Sequence, residues 1–279
     1  MTQEHLGTGA DLSGRVAIVT GAGKGIGRAC AIELAARGAR VLVNNRRHPG
    51  ETDAETSAAQ VVAEIEAAGG QALANWDAVD APGAGERIVA QAVARWGRLD
   101  VVVANAALSQ ASTFHKQSLD DFLRVFNVGF LGSLQLVHAA WPLMRAQGHG
   151  RVVFTSSSAG RYGNHGLGAY AASKGAIEML MRSLAAEGRS SGIVVNAVSP
   201  YAATQMTREH LPAPLAERLT PEAIAPVVAW MVSEGCGANG EVVVTGGGRH
   251  RLAYTVETEG VTDTDMAQAL ARLRERPAH

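Results

Sequence analysis

Tyr170 and Lys174 stand four residues apart in the stretch GLGAYAASKGAIEML, 166–180. On an α-helix that spacing stacks a phenol and an ammonium on one face. A phenol near its ordinary value of ~10 exchanges protons poorly at neutral pH, and an adjacent ammonium stabilises its phenolate and draws it towards the working range. The pair therefore suits acid–base chemistry at an oxygen. An exposed helix face would show the same spacing, so the neighbouring motifs must decide.

TGAGKGIG, 20–27, lies between the predicted strand RVAIVT, 15–20, and the predicted helix GRACAIELAARG, 27–38. A dinucleotide's pyrophosphate rests at such a junction, where glycines admit the phosphates and the helix start offers free N–H groups. Gly21, Gly25 and Gly27 are spaced more widely at the start than GxGxxG, with Lys24 and Ile26 between them. After the second strand, RVLVNN, 40–45, an NAD-specific site would carry an acid for the ribose 2′-hydroxyl. Asn45 stands there, followed by Arg46 and Arg47. A neutral side chain with cations beside it, and Lys24 in the loop, predicts NADP(H) over NAD(H); arginines after a strand also occur as a solvated turn.

Ser157 in TSSSAG lies thirteen positions before Tyr170, and Asn127 lies in the long predicted helix ahead of that strand. With the glycine loop, these residues resemble the short-chain dehydrogenase/reductases, over about 14–250 of the chain. The resemblance implies that Tyr170 is the acid in carbonyl reduction and the base in alcohol oxidation. It implies that Ser157 orients the substrate oxygen, that Lys174 binds the nicotinamide ribose and lowers the phenol, and that Asn127 holds a relay water. The small neighbours of Tyr170 then leave room for a nicotinamide.

The same resemblance assigns Asp77 in NWDAV to the adenine. Asn105 in ANAA, where Ala104 and Ala107 replace the family's Asn and Gly, goes to the adenosine ribose. Pro200 and Thr204 in NAVSPYAAT are expected at the carboxamide, with Tyr201 in place of a glycine. His165, Leu167, Tyr201 and Met206 lie in segments expected to flank the substrate. No metal site is expected. Several stretches, among them GRVVFTSSSAGRYGNHGLGAYAASKGA, resemble the (3R)-hydroxyacyl-CoA dehydrogenase branch, which implies a 3-hydroxyacyl thioester or hydroxysteroid as the alternative to NADPH-dependent ketone reduction. A catalytically silent nucleotide-binding regulator is the reading from another class, and the intact Ser157, Tyr170, Lys174 and Asn127 set speaks against it.

The elements that must position these residues alternate along the chain. Apolar β-branched runs recur between helical patterns up to EVVVTGG, which predicts one doubly wound parallel sheet, a Rossmann fold with helices on both faces. The whole chain, 1–279, reads as one domain with a core of about 14–250 and an extension over 251–279. Segment 201–239, with four of the nine prolines, is expected to cover the substrate. VTDTDMAQALARLRE is expected as an acid-capped amphipathic helix.

A net charge of −1 without a basic block argues against a nucleic-acid surface. Two cysteines make no disulfide framework, and the first residues lack the regions of a signal peptide, so a cytoplasmic setting is expected. No apolar run approaches ~18 residues, so no membrane partner is expected. The helices holding Asn127 and Tyr170 carry more apolar surface than one sheet face covers, which with the resemblance predicts a homodimer or homotetramer.

Overall fold

The computed structural model describes residues 10–205, 212–262 and 265–274. Its centre is an eight-stranded sheet in the order β3-β2-β1-β4-β5-β6-β7-β8. The strands are β1 Val16–Thr20, β2 Arg40–Asn44, β3 Gln71–Asn75, β4 Val101–Ala104, β5 Gly150–Thr155, β6 Ile193–Pro200, β7 Val242–Gly246 and β8 Arg249–Ala253. The first seven run parallel; β8 returns antiparallel along β7. In β1 every residue is buried, as expected of a parallel strand covered on both faces.

Alternation along the strands divides the core into two layers. Ala17, Val19, Val41 and Val43 face α1 (Gly25–Ala36), α2 (Ser57–Ala67) and α9 (Ala225–Met231). Val16, Ile18, Leu42 and Phe154 face α3 (Ala84–Trp96), α5 (Gly132–Gln147) and α7 (Gly168–Gly188). Strand order reverses between β1 and β4, and the crevice beyond the carboxyl ends at such a switch point is where open α/β sheets bind ligands.

Four features depart from the sequence expectation. The sheet is not wholly parallel: Gly247 and Gly248, at φ +56° and +77°, turn the chain tightly into β8. Residues 201–239 are not all cover, because α9 buries Val228, Ala229 and Met231 in the core beside α1. The long predicted helix is α4 (Leu119–Phe126), a π-helical turn Asn127–Leu131, then α5. By length and composition Leu119–Gln147 could cross a bilayer, although no unbroken apolar run suggested it; here Leu136, Val137, Ala140 and Met144 bury in the core. A short helix, α6 (Ser158–Tyr162), follows β5 unannounced.

Near the end of the chain α10 (Met266–Arg274) forms as expected, with Asp265 Oδ1 accepting from the N–H groups of Ala267 and Gln268. α8 (Ala213–Arg218) lies between β6 and α9.

Candidate active site

The glycine loop closes on itself at the carboxyl end of β1. Gly21 and Gly25 take φ +61° and +55°, the region that side chains disfavour. A Cβ on Gly27 would stand 2.3 Å from the Gly21 carbonyl oxygen. Asn105 Nδ2 donates to the carbonyls of Thr20, at 3.0 Å, and Gly21, at 3.3 Å, pinning the loop to the end of β4. Lys24 is the exposed N-cap residue of α1; no described side chain caps the helix, and its first turn holds no acid. Ile26 packs against the core. An uncapped helix start behind a close-approach turn fits a pyrophosphate.

Beside the glycine loop a hollow of about 100 Å³ is lined by Gly21, Asn45, Arg46, Asp77 and Ala107 with their neighbours. Asn45 Nδ2 donates to Ser57 Oγ at 2.9 Å. Asp77 pairs with Arg87 at 2.7 Å, and its carbonyl accepts from Asn44 Nδ2 at 2.9 Å. Arg46 reaches this hollow and Arg47 does not. Arg47 is paired with Asp53 and lies over the Trp76 ring, 4.7 Å from its centroid. That pair is solvent-exposed and lies beside the hollow.

Ser157, Tyr170 and Lys174 converge at the carboxyl end of β5. Ser157 caps α6, its Oγ accepting from the N–H of Ala159 at 3.2 Å. Lys174 is buried on α7 and donates from Nζ to the Thr155 carbonyl at 2.7 Å; that nitrogen lies 5.6 Å from the centroid of the Tyr170 ring. Burial pulls the ammonium down from its ordinary range to about 8. Burial pushes the Tyr170 phenol up, while a hydrogen bond with the Ser157 side chain pulls it the other way. On balance the phenol stands above its ordinary value, burial outweighing the Ser157 hydrogen bond. The ammonium is engaged by a backbone carbonyl, and desolvation is the larger effect.

Asn127 opens the π-helical turn, its carbonyl accepting from Gly132 across five residues. Such turns occur often at functional sites. Gly129 in the same turn lets α7 approach closely, since a Cβ there would stand 2.8 Å from Ser173 Oγ.

A polar network behind these residues was not foreseen. Buried Glu178, one turn beyond Lys174, accepts from Ser156 Oγ and from Arg161 Nη1, each at 2.5 Å, and Arg161 Nη2 donates to Ser199 Oγ at 2.9 Å. Ser156 is thereby committed to Glu178, which leaves Ser157 as the hydroxyl nearest the phenol. The signal in the sequence was Glu178 itself, an acid on the buried face of α7.

The expected substrate residues are dispersed. His165 is exposed in the turn before α7, whose N-cap is Leu167. The Ser112 N–H ties that turn down through the Gly166 carbonyl at 2.9 Å. Pro200 ends β6, and Thr204 lies near Gly25, its Cγ2 3.5 Å from where a Cβ on that glycine would be. Tyr201 directly follows the end of β6. Its ring carries Arg251, 5.9 Å from the centroid, and lines a hollow with Gly175, Glu178 and Met179 of α7. Met206 lies outside the described residues.

Residues 15–214 match the family model of short chain dehydrogenases. The chain is 43% identical over 237 residues to the peroxisomal multifunctional enzyme type 2 of Mus musculus, covering 84% of this chain and 32% of that enzyme. The chain thus spans about a third of that relative's length. It is 42% identical to a short-chain type dehydrogenase/reductase of Mycobacterium tuberculosis, over 84% of this chain and 83% of that one. A crystal structure of a short chain dehydrogenase from Mycobacterium avium superposes with a TM-score of 0.86 at 34% identity, covering 96% of this chain and 98% of the other. A glycine-loop sheet, a serine, tyrosine and lysine gathered at its carboxyl edge, and these likenesses lead to one assignment: the chain belongs to the short-chain dehydrogenase/reductase family, oxidoreductases that act on CH–OH groups with a nicotinamide nucleotide.

Proposed function

We propose that the chain reduces a ketone to a secondary alcohol with NADPH, and that Tyr170 is the proton donor. The observation that carries this is the convergence of Ser157, Tyr170 and Lys174 at the end of β5, which Asn105 ties to the glycine loop by accepting from Thr155 Oγ1 and donating to the Thr20 and Gly21 carbonyls. The nucleotide, when bound, supplies the hydride to the carbonyl carbon. Gly21, Gly25 and Gly27 admit its phosphates, Asn105 holds the loop that cradles them, and Thr204 stands by the loop from the β6 side.

The substrate oxygen accepts hydrogen bonds from Ser157 Oγ and Tyr170 Oη, which stabilise the charge that develops on it. Tyr170 gives up its proton as the alcohol forms, and the Lys174 ammonium stabilises the resulting phenolate. Asn127, at the π-helical turn, holds the water that returns the proton. In alcohol oxidation the same atoms act in reverse.

Asn45 and Arg46 support NADP(H), since no carboxylate stands at that ribose edge to repel a 2′-phosphate and Arg46 reaches the hollow. A panel of β-ketoacyl thioesters, steroids and cyclic ketones with both reduced nucleotides tests the reading. The expected result is a higher kcat/KM with NADPH on at least one ketone. Equal or better use of NADH contradicts the nucleotide assignment, and no turnover on any ketone points to a silent nucleotide-binding protein.

A second reading, oxidation of a (3R)-hydroxyacyl thioester with NAD, is favoured by the likeness to the mouse multifunctional enzyme. The thioester arm of the same panel, run in the oxidative direction, separates the two. Self-association follows from α4, where Leu119 and Leu123 are 71% and 43% exposed. Light scattering should give the mass of two or four chains, and a monomer contradicts it.

A further inference from the structure

Ser157 is held from both sides by one carboxylate oxygen. Ser156, the residue before it, donates from Oγ to Glu178 Oε1 at 2.5 Å, and Arg161, four residues after it on α6, donates from Nη1 to the same oxygen at 2.5 Å. We propose that Glu178 is a positioning residue for the hydride-transfer reaction, acting on the substrate oxygen only through Ser157. The proposal rests on the reading of Ser157 as the hydroxyl that meets that oxygen.

The chain around Ser157 cannot hold itself. α6 has five residues, too few to keep a helical shape alone, and its N-cap is Ser157, whose Oγ accepts from the Ala159 N–H at 3.2 Å. Where α6 sits therefore decides where that hydroxyl points. A Cβ on Gly160 would stand 2.6 Å from the Lys174 carbonyl carbon, so the backbone of α6 lies directly against α7. Arg161 then ties α6 to Glu178 on α7 and, through Nη2 at 2.9 Å, to Ser199 Oγ on β6. On the other side of Ser157 the Ser156 N–H donates to the Val198 carbonyl at 2.7 Å, and its hydroxyl to Glu178.

Tyr170, Lys174 and Glu178 follow one another at four-residue spacing along α7, on one face. A single rigid element thus carries the phenol, the ammonium and the carboxylate that places the serine. Stability alone is a weak reason for the ion pair. Glu178 is 3% exposed, and the desolvation of a buried pair often outweighs its attraction, so apolar side chains of similar volume would join α6 to α7 at least as well. Apolar packing lacks direction, whereas two hydrogen bonds converging on one oxygen fix the stretch 156–161 at both ends.

The test is a double-mutant cycle on the full chain between Glu178→Ala and Ser157→Ala, read as kcat on a ketone or alcohol that the native chain turns over, with nucleotide affinity measured by calorimetry. Misplacing a reacting group by ~1 Å costs up to about 10²-fold, so Glu178→Ala should lower kcat at least about tenfold with nucleotide affinity unchanged. In the Ser157→Ala background the same substitution should cost less than about twofold, because its route of action is already gone. Glu178→Gln, which keeps an acceptor oxygen in the same place, should recover most of the lost rate. Should Glu178→Ala not fold, Arg161→Met/Glu178→Met removes both charges without stranding either and takes its place in the cycle.

A carboxylate that only holds the fold together would lower the rate by the same factor in both backgrounds, and that result overturns the proposal. So does Glu178→Gln as slow as Glu178→Ala. A crystal structure of the variant that breaks the clamp needs no substrate: Ser157 Oγ should leave hydrogen-bond reach of the Tyr170 hydroxyl, its partner in the native chain, and an unmoved hydroxyl overturns the proposal. That structure separates this inference from the reaction, which fails by itself if Ser157→Ala and Tyr170→Phe both keep the native rate.

Discussion

Lys174 brings an ammonium into a position only 1% exposed, with the Thr155 carbonyl as its partner. Its folded value of about 8 lies below the ordinary lysine value, so the two states differ in protonation between pH 8 and roughly 10.4. In that window the unfolded chain holds a proton that the folded chain has released, and stability contributed by this group rises with pH. Below pH 8 both states hold the proton and the full cost of burial is present. Lys174→Met removes the term. The stability of the native chain relative to this variant should climb by about 3 kcal/mol from pH 8 to 10.4, read from urea midpoints at each pH. A difference that stays flat contradicts the burial account. At this scale the sequence was informative about residue type and spacing, and poor about environment. The i, i+4 rule put Tyr170 and Lys174 together, but the desolvation that pushes the phenol up depends on packing that no spacing encodes.

At the scale of elements, close approach decides more than propensity. The glycine loop works because three chain segments meet where no side chain fits: a Cβ on Gly27 would stand 2.3 Å from the Gly21 oxygen and 2.6 Å from Asn105 Nδ2. Gly27→Ala must therefore push the loop off β4. The expectation is a loss of about 1–3 kcal/mol in stability together with weaker nucleotide binding by calorimetry. Gly237→Ala, where an added Cβ meets nothing within 4 Å, should change neither. Unaltered nucleotide affinity in Gly27→Ala would remove this loop from the proposed binding site. The loop was legible because a strand, three glycines and a helix are contiguous. β8 was not, because RHRLA is neither apolar nor alternating; β7 and the Gly247–Gly248 turn impose its strand form. The π-helical turn at Asn127 was hidden for the opposite reason, since an apolar helical pattern runs unbroken through it.

Across the whole molecule, period-two burial in the strands sorts the helices into two layers and leaves the carboxyl ends of β1, β4, β5 and β6 open along one edge. That layering was readable from the alternation of strand-like and helical runs. What could not be read was which parts of 201–239 lie in the core: α9 is apolar enough to bury, yet the prolines around it read as loop. Tyr201 shows the same limit, since its neighbours in sequence do not reveal that its ring meets Arg251 of β8. The account as a whole rests on Tyr170 giving its proton to a carbonyl beside a bound nicotinamide. The most direct measurement is ketone reduction by Tyr170→Phe, with nucleotide affinity measured on the same preparation. Turnover should fall by about 10²–10⁴ while affinity for NADPH is unchanged; turnover close to that of the native chain, with the nucleotide bound, would contradict it.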